Sequence, residues 1–351
     1  MAADLMDADY DVIIVGAGPA GLSCARHLSG SGLRVLVLEK SPSLGLKPCS
    51  GEISSKVLPG EDPARKFKGA QVWKTVIVGT AKGTVPVTYD RPYLWTVGRS
   101  EFESWLKSGC DADIRFSEAV TSITPKHVET SKGSYSYRHL VGADGSFSKV
   151  RDHLKLPMEH IVGSAYHYVV EKPSKEFRVY WLPDVFPRGY GYVMSRSRGA
   201  TMIGGAMAGK DILHRVLAPK VKAWAVQEFG LDLSKLRSEG YRGNADYRGW
   251  RFGDIFLAGD AAGLLNPVTT EGMYYAVKSG EGVAKHIRGD PDGERIMRKL
   301  ESTHRSQVFL FDLFSNPSLP FCRFVEWVLE DPRKGIRKRI FDFVFWRFMD
   351  G

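Results

Sequence analysis

The sequence predicts an α/β protein of three layers, in which a discontinuous domain built on a parallel sheet carries an inserted β-sheet-rich domain and a helical C-terminal segment. Three glycine- and acid-bearing segments lie at residues 11–40, 141–151 and 251–282, and the first and third combine a strand with a helix. The residues between the last two segments favour short strands. Consecutive elements usually lie near each other in space, so the separated segments predict one domain with an insertion.

The first segment, residues 11–40, has the order strand, glycine turn, helix, strand and acidic residue. Val12–Val15 is a continuous apolar run, as expected of a buried parallel strand. The turn glycines, at G-x-G-x-x-G spacing, are Gly16, Gly18 and Gly21. They permit a tight bend, the approach of a pyrophosphate and close packing of helix on strand. The helix from Pro19 presents free N–H groups to phosphate, and Glu39 can accept hydrogen bonds from ribose hydroxyls, so the segment predicts a dinucleotide site.

The composition is that of an ordinary globular protein with a basic excess. Hydrophobic residues make up 43% and charged residues 25%, and 49 Lys and Arg against 40 Asp and Glu give a formal charge of +9. Such an excess attracts nucleic acid, anionic lipid or an acidic substrate, but no nucleic-acid-binding motif accompanies it. Four cysteines without C-x-x-C spacing indicate reduced thiols, and no apolar run approaches the roughly 18 residues of a membrane span. We therefore predict a cytoplasmic protein with no nucleic-acid partner.

Shorter patterns predict the elements between the three segments. Residues 41–63 are rich in Gly, Pro, Ser and Lys and predict a loop, whereas residues 70–93 predict short strands and residues 98–109 a helix. Residues 166–205 favour a sheet, and residues 211–230 favour an amphipathic helix. The predicted domains are a nucleotide-binding domain at 1–65, 98–160 and 245–300, a substrate-binding domain at 66–97 and 161–244, and a helical, basic and aromatic tail at 301–351.

The second and third segments place acidic residues in glycine-rich turns. Val141–Arg151 (VGADGSFSKVR) carries Asp144 in such a turn. In the third segment a buried strand at 255–258 ends just before Asp260, at the sheet edge where α/β proteins bind ligands. The Asp260 carboxylate can accept hydrogen bonds from sugar-alcohol hydroxyls, and an aspartate that caps the loop is the alternative. The helix that begins near residues 271–273 directs its positive end toward the same edge.

Together the three segments resemble those of FAD-dependent oxidoreductases of the aromatic-hydroxylase type, in particular the geranylgeranyl reductase family, over roughly residues 1–290. The resemblance implies a Rossmann-like FAD-binding domain whose first segment holds the adenosine, whose second lies near the pyrophosphate and whose third holds the ribityl chain. An arginine in residues 98–106 (GRSEFESWL) resembles the one that this group places against the flavin side chain, with a solvated arginine at the helix start as the alternative. The implied cofactor-binding residues are Gly16, Gly18, Pro19, Ala20, Gly21, Glu39, Lys40, Lys47, Pro48, Cys49, Arg99, Asp144, Gly145, Gly259, Asp260, Pro267, Gly272 and Met273.

Residues 47–52 (KPCSGE) are similar to the K-P-C-x-G segment that lies close to the flavin in geranylgeranyl reductases, where the cysteine adjoins the alkene. Alkene reduction needs a hydride at one carbon and a proton at the other, and a partly exposed thiol could supply that proton. Cys49 is therefore a candidate catalytic residue, and Glu52 is an alternative acid. An inert small residue at position 49 is the remaining alternative.

The predicted substrate domain departs from the family pattern. Family members commonly carry Y-x-W-x-F-P followed by G-x-G, whereas the best match here, residues 190–195 (YGYVMS), keeps only the first aromatic residue. Tyr190 and Tyr192 are candidate substrate contacts, with core aromatics on a strand as the alternative. This departure predicts a different wall around the substrate, and it leaves the identity of the isoprenoid substrate open.

Beyond residue 300 the resemblance fades and the basic excess concentrates. Residues 321–349 mix aromatic clusters with basic side chains, which suits an amphipathic helix at the surface of an anionic membrane. A helix packed on the catalytic domain with a solvated basic edge is the alternative. The basic residues are Arg333, Lys334, Arg337, Lys338, Arg339 and Arg347.

These patterns predict an FAD-dependent reductase that saturates C=C bonds of an isoprenoid, such as a geranylgeranyl lipid, a prenyl diphosphate or a quinone side chain. The alternative is an FAD-dependent monooxygenase of the aromatic-hydroxylase type acting on an apolar substrate, because both classes share the three segments. No second complete G-x-G-x-x-G unit exists in the sequence, which leaves the electron donor open between NAD(P)H and a ferredoxin-like protein. The predicted location is cytoplasmic and peripheral on the inner face of the membrane.

Overall fold

A computed structural model of the chain describes residues 8–159, 162–196, 199–209, 213–315 and 320–349. Asp211, where the predicted amphipathic helix begins, and the side chain of Arg347 lie outside the described residues. Within the described ranges, no helix is both long enough and apolar enough to cross a membrane.

The strands and helices follow each other along the whole described chain. In chain order the strands are β1 (Tyr10–Val15), β2 (Val35–Leu38), β3 (Glu52–Ser54), β4 (Gln71–Trp73), β5 (Thr75–Thr80), β6 (Gly83–Thr88), β7 (Leu94–Thr96), β8 (Asp113–Arg115), β9 (Val120–Ile123), β10 (His127–Thr130), β11 (Ser134–Gly142), β12 (Val162–Val170), β13 (Phe177–Tyr180), β14 (Gly189–Arg196), β15 (Ala200–Ala208), β16 (Ser238–Asn244), β17 (Arg251–Phe252) and β18 (Ile255–Leu257). The α-helices are α1 (Pro19–Leu28), α2 (Pro63–Lys66), α3 (Arg99–Lys107), α4 (Lys149–His153), α5 (Ala218–Phe229), α6 (Met273–Ile287), α7 (Asp292–Ser315), α8 (Pro320–Glu330) and α9 (Gly335–Met349).

The first sheet has the strand order β17-β18-β11-β1-β2-β8, and all of these strands except β17 run parallel. Successive side chains of a strand face opposite sides, so Val12 and Ile14 of β1 pack with α1 and α6. Ile13 and Val15 pack on the other side with the β9–β10 hairpin, α4 and α7. The result is the predicted three-layer arrangement. It is discontinuous, because β18 joins strands that precede the insertion.

The second sheet contains seven strands in the order β16-β12-β15-β14-β13-β5-β6. Helix α5 covers one face, where Trp224 packs against Tyr180 and Phe186 with ring centroids 5.0 and 5.4 Å apart. The opposite face carries aromatic and sulfur-containing side chains, including Tyr192 and Met194, and packs against Leu329, Phe341 and Phe345 of α8 and α9. This sheet is the predicted β-rich insertion.

Part of the predicted loop at residues 41–63 is a strand. Residues 52–54 form β3, which pairs antiparallel with β7 so that Glu52 lies opposite Thr96, and β4 pairs with the other edge of β7. The loop prediction was wrong for these three residues, because a strand this short carries no periodic pattern and its partner lies far along the chain. The pairing places the segment KPCSGE between the two large sheets.

The tail forms two helices, α8 and α9, where the sequence predicts a single amphipathic helix. The break follows Glu330 at Asp331 and Pro332, since proline disfavours a helical residue before it. The inner face of α9 packs on the second sheet: the ring of Phe345 stacks on Tyr89 at 4.9 Å between centroids. The inner face of α9 therefore fits the alternative prediction, a helix packed on the catalytic domain.

Candidate active site

The glycine turn after β1 brings three backbone segments into contact. Gly16 has a φ of +102°, and a Cβ on it would lie 2.5 Å from the carbonyl oxygen of Ala143. A Cβ on Gly21 would lie 1.9 Å from the carbonyl oxygen of Gly16. Only glycine fits at either position, because real Cβ atoms never approach so closely. The turn thus ties β1, α1 and the end of β11 together.

Above Gly18 the space is open. An added Cβ there would meet only the guanidinium of Arg99, 3.9 Å away, among the described residues. Arg99 begins α3 and is held by Glu103, one helical turn on, at 2.8 Å. The start of α1 also directs unpaired N–H groups into this space. A cation and a helix N-terminus converging on an open glycine make a site for a phosphate group.

The acidic residue that ends the first segment orders the loop beside the turn. Glu39 accepts hydrogen bonds from the backbone N–H groups of Ala17 and Ser41, each at 2.8 Å. The carboxylate lies on the cavity wall next to Leu38 and Lys40. It is therefore held in place by the chain itself at the end of β2.

The second segment contributes the carboxyl group of Asp144 to the cavity wall. Oδ2 of Asp144 accepts the N–H of Lys149 at 2.7 Å, whereas Oδ1 is enclosed and has no hydrogen-bond partner among the described residues. Burial raises the pKa of Asp144 to about 6, against the opposing effect of hydrogen bonds from Ser148 and the backbone. An enclosed acceptor without a partner fits a donor from a bound molecule.

The third segment meets the segment KPCSGE at Asp260. Its carboxylate lies 3.3 Å from Nζ of Lys47 and 3.3 Å from the hydroxyl of Ser146. Lys47 also donates to the hydroxyl of Tyr241 at 3.0 Å. A Cβ on Gly272 would lie 3.6 Å from Oδ1 of Asp260, so the carboxylate faces the start of α6. Asp260 thus links the second segment, the segment KPCSGE and the start of α6, and Lys47 extends the contact to Tyr241 of the second sheet.

The cysteine of this segment lies beside a buried cation. Sγ of Cys49 accepts the N–H of Gly51 at 3.3 Å. Burial works to lower the pKa of Arg99, but Cys49 and Glu103 beside it reverse the direction and raise it. Arg99 therefore remains charged between the open space above Gly18 and the cysteine.

A buried ion pair fixes the loop before α6. Lys56 and Glu271 lie 2.6 Å apart with side chains only 5% and 16% exposed, and Ser54 donates to the second oxygen of Glu271 at 2.9 Å. The ammonium of Lys56 also lies over the ring of Tyr274 at 4.7 Å. These contacts join the end of β3 to the start of α6.

One cavity of about 1230 Å³ connects these parts. The predicted site residues on its wall are Gly16, Gly18, Pro19, Ala20, Glu39, Lys40, Lys47, Pro48, Cys49, Glu52, Arg99, Asp144, Gly145, Tyr190, Tyr192, Asp260, Pro267, Gly272 and Met273. Gly21 and Gly259 lie behind the wall, where Gly21 supports the turn and the N–H of Gly259 donates to Ser279 at 2.8 Å. The structure therefore brings the predicted residues together, and their individual contacts with a cofactor stay predictions.

The far end of this cavity is an apolar chamber between the second sheet and the tail. Its wall contains Val76, Val78, Tyr93, Leu94, Phe177, Val179, Tyr190, Tyr192, Met194, Met202, Val328, Leu329, Phe341 and Phe345. The hydroxyl of Tyr190 donates to the carbonyl of Thr269 at 2.7 Å, and that of Tyr192 lies 3.2 Å from Nδ1 of His167. Their rings thus face the chamber while their polar ends are satisfied.

Several functional contacts escaped the sequence analysis. Glu103 could have been found, since it stands four residues after Arg99 on a predicted helix. Tyr241 and the Lys56–Glu271 pair carry no local pattern, because their partners are remote in sequence. The tail's inner aromatics were visible as a cluster, but nothing in the sequence indicated which surface they cover.

Comparison with known proteins decides the family. A family profile described as FAD binding domain matches residues 113–304, more than half of the chain. The chain belongs to this FAD-binding family. It is an FAD-dependent oxidoreductase, as the three segments predict. A second profile, described as lycopene cyclase protein, matches residues 11–171.

Individual relatives of this FAD-dependent oxidoreductase include reductases and a monooxygenase. The geranylgeranyl diphosphate reductase of Rhodobacter capsulatus is 26% identical over 301 residues, which cover 79% of this chain and 74% of that protein. A geranylgeranyl bacteriochlorophyll reductase-like protein of Thermoplasma acidophilum superposes with a TM-score of 0.73 at 18% identity, covering 87% of both chains. PqsL of Pseudomonas aeruginosa, a probable FAD-dependent monooxygenase, superposes with a TM-score of 0.66 at 16% identity, covering 90% of this chain and 98% of that one. The resemblance predicted from the motifs is confirmed at family level.

The described residues of the oxidoreductase fit FAD. The open space above Gly18 accommodates a phosphate, and the unpartnered Oδ1 of Asp144 accommodates a donor from the cofactor. Glu39 and Asp260 line the cavity and would offer acceptors to the ribose and ribityl hydroxyls. When bound, FAD supplies two-electron transfer to or from a substrate.

Proposed function

We propose that this FAD-dependent oxidoreductase reduces C=C bonds in the isoprenoid chain of a lipid. The observation that carries the proposal is the continuity of the cavity from the glycine turn to the apolar chamber. Its volume of about 1230 Å³ exceeds the several hundred Å³ that one ordinary ligand needs. There is room for the cofactor and for an elongated apolar chain beside it.

The chamber suits a hydrocarbon chain because its wall is aliphatic and aromatic. Burial of an isoprenoid there gains about 0.8 kcal/mol for each CH₂ removed from water. Met194 and Met202 add flexible, polarisable side chains that adapt to methyl branches. The wall also keeps water away from the reacting alkene, which protects a hydride equivalent from wasteful protonation.

The segment KPCSGE supports reduction over oxygenation. In this protein Lys47, Cys49 and Glu52 all line the cavity where the cofactor end meets the chamber. Groups that carry or exchange protons are thus present where an alkene must gain one. Electron supply from NAD(P)H or from a ferredoxin-like protein remains equally compatible with the proposal.

The test is an anaerobic single turnover of FAD-loaded protein reduced with dithionite, which makes the natural donor unnecessary. We expect added geranylgeranyl lipids to reoxidise the flavin and to gain two hydrogens for each double bond, as measured by absorbance and mass spectrometry. Lipids that stay unchanged without oxygen but incorporate an oxygen atom in air would identify a monooxygenase instead.

We further propose that the tail rests on an anionic membrane. The cap surface consists of the exposed residues of α8, of the turn after it and of α9: Phe321, Arg323, Phe324, Trp327, Arg333, Lys334, Ile336, Lys338, Arg339 and Phe343. Half of them are large apolar side chains and half are basic, the combination that inserts into a headgroup region and pairs with anionic lipid. The inner face of the same helices lines the chamber, so a lipid substrate would enter from the surface it occupies.

Vesicle flotation tests the cap surface. The wild-type protein should float with phosphatidylglycerol-containing vesicles and stay in solution with pure phosphatidylcholine. The K334E/R339E variant should lose most of this binding, because each basic residue near an anionic surface contributes about 1 kcal/mol. The matched reversal K155E/K235E, at exposed lysines outside the cap, should bind as the wild type does. Equal loss in both variants would show a general charge effect and overturn the assignment.

A further inference from the structure

Glu52 is the one carboxylic acid among the predicted site residues that faces the apolar chamber. It is the first residue of β3, and pairing with Thr96 of β7 fixes its backbone. The side chain reaches the cavity wall, where Oε1 is enclosed and has no hydrogen-bond partner among the described residues. Other atoms of the side chain line the cavity, so the carboxyl group borders the space beside Tyr190 and Tyr192.

The groups around Glu52 come from several elements. Tyr93 precedes β7, Tyr190 and Tyr192 stand on β14, and Glu271 precedes α6. Each of them lies close enough to interact electrostatically with Glu52. The titratable neighbours are Tyr93, Tyr190, Tyr192 and Glu271, and Glu271 is itself paired with Lys56.

A structural role does not account for this carboxyl group. An enclosed acceptor without a partner costs about 1–3 kcal/mol, and an apolar residue at the same place would avoid that cost. The nearby pair of Lys56 and Glu271 is already closed at 2.6 Å, and Ser54 completes it. Carboxylic acids whose pKa is raised by burial in a cleft are a recurrent mark of catalytic sites, and Glu52 is such an acid.

We propose that Glu52 is the catalytic acid that protonates the substrate alkene in the chamber. The assignment rests on the proposed function, since it names the proton source for that reaction. It also separates the roles within KPCSGE: Cys49 lies beside Arg99 at the cofactor end, whereas Glu52 faces the chamber. The acid is then the group nearer to the apolar substrate.

The reaction balances with this donor. The π bond of the alkene breaks, one carbon forms a C–H bond with a hydride from the reduced cofactor, and the other forms a C–H bond with the Glu52 proton. The alkene gains two electrons and the cofactor loses them. Glu52 is left as a carboxylate and regains a proton from solvent when the product leaves.

The protonation state of Glu52 suits this task. Burial raises its pKa from the ordinary value of 4.5 to about 7, Ser50 opposes the rise and Glu271 adds to it. A substantial fraction of the group therefore carries a proton near neutral pH, as an acid catalyst must. The rate should be high below pH 7 and fall as the pH rises through about 7.

The test compares Glu52→Gln and Cys49→Ala in anaerobic single turnovers between pH 5 and 9, with the surface variant Glu294→Gln as the control. We expect Glu52→Gln to slow alkene reduction by about 100-fold and to abolish the fall near pH 7, because general acid catalysis is typically of that size. The Cys49→Ala variant should still show the decrease in rate as the pH rises through about 7. A Glu52→Gln variant that retains both the rate and the pH profile overturns the proposal.

An infrared titration gives a readout that does not depend on turnover. The Asp144→Asn background removes a second buried carboxyl, whose pKa is about 6. In the apoprotein with that background, the C=O stretching band of a protonated carboxyl should titrate near pH 7 and vanish when Glu52→Gln is added. If the variant keeps that band, Glu52 does not hold the proton and the proposal is wrong. A wild-type protein that reduces no prenyl lipid overturns the proposed function, whereas a Glu52 band that still titrates in it supports the acid assignment by itself.

Discussion

Gly18 and Gly21 belong to the same glycine motif, but the atoms next to them differ. Among the described residues, a Cβ on Gly18 would meet only the Arg99 guanidinium, 3.9 Å away, whereas a Cβ on Gly21 would collide with the carbonyl oxygen of Gly16 at 1.9 Å. The fold therefore requires Gly21, whereas Gly18 is predicted to serve the cofactor. The motif predicts the same division, with its second glycine for the pyrophosphate and its third for the packing of helix on strand.

Alanine substitutions at Gly18 and Gly21 should separate an effect on cofactor binding from an effect on folding. Gly18→Ala should fold with unchanged thermal stability and bind FAD at least about 10-fold more weakly, because the added methyl group occupies the phosphate space. Gly21→Ala should lower the melting temperature of the apoprotein, since the strand–helix contact must open. Calorimetry of the apoproteins and FAD titration by fluorescence give the two quantities. A stable Gly21→Ala apoprotein would contradict the contact.

Asp144 predicts a pH dependence of stability in the apoprotein. Its folded-state pKa of about 6 lies above the ordinary 3.8 because of burial, so keeping it ionised costs folding free energy at pH above about 6. That cost disappears as the pH falls from about 6 to about 4. The Asp144→Asn apoprotein should therefore be more stable than the wild type by about 2 kcal/mol at pH 8.

Urea unfolding at pH 8 and at pH 4 measures this difference. The amide oxygen of asparagine can still accept the N–H of Lys149, so the substitution removes mainly the charge. The advantage of the variant should fade at pH 4, where both proteins are uncharged at this position. An advantage that persists at pH 4 would point to packing and contradict the electrostatic explanation.

At the scale of single residues, the sequence predicts those that act through short spacing. Gly16, Gly18 and Glu39 could be named because a turn and the strand after it have fixed geometry. Tyr241 could not, since its bond to Lys47 spans 194 positions and neither residue marks the other. Long-range side-chain contacts depend on how the two sheets face each other, which no local pattern encodes.

Strand β3 and helix α6 are joined by the buried pair Lys56–Glu271. Removing one partner of a buried pair leaves an uncompensated charge, whereas a solvent-exposed pair contributes little. The Arg298–Glu294 pair on α7 offers the exposed comparison, with side chains 77% and 41% exposed. The two pairs differ in burial more than in distance, since both are 2.6 Å long.

Lys56→Met should lower the free energy of unfolding by about 3 kcal/mol, and Arg298→Met by less than about 0.5 kcal/mol. Chemical denaturation of the FAD-free proteins gives both values. The double variant Lys56→Met/Glu271→Leu should recover part of the loss, because no charge is then buried alone. If Lys56→Met costs no more than Arg298→Met, the pair does not hold the two elements together.

Among the elements, long periodic segments were predictable and short ones were not. Helix α3 follows the pattern of residues 98–109, whereas β3 lies within the predicted loop at residues 41–63. The tail shows the same limit: the helical pattern was visible, but the break at Pro332 and the face that packs inward depend on the second sheet. Tertiary pairing decides elements too short to show a period.

At the scale of the whole molecule, α8 and α9 lie between the apolar chamber and the exposed cap surface. The inner side of α9 closes the chamber with Phe341 and Phe345, and the outer side presents Phe343, which is 67% exposed. Neighbouring aromatic residues of one short helix thus have opposite predicted tasks. Phe345 packs on Tyr93 with ring centroids 5.1 Å apart, so it supports the wall on which the substrate chain would lie.

Alanine substitutions at Phe345 and Phe343 test the roles assigned to the inner and outer faces of α9. Phe345→Ala should lower the free energy of unfolding by about 2 kcal/mol, because a half-buried ring leaves a cavity, and it should let bulkier prenyl lipids be reduced. Phe343→Ala should keep stability and lipid preference and bind more weakly to phosphatidylglycerol vesicles, since it loses an inserted ring. Denaturation, product analysis with lipids of increasing chain bulk, and vesicle flotation measure the three quantities. If Phe343→Ala changed the lipid preference, or Phe345→Ala changed only vesicle binding, the assignment of the two faces of α9 would be reversed.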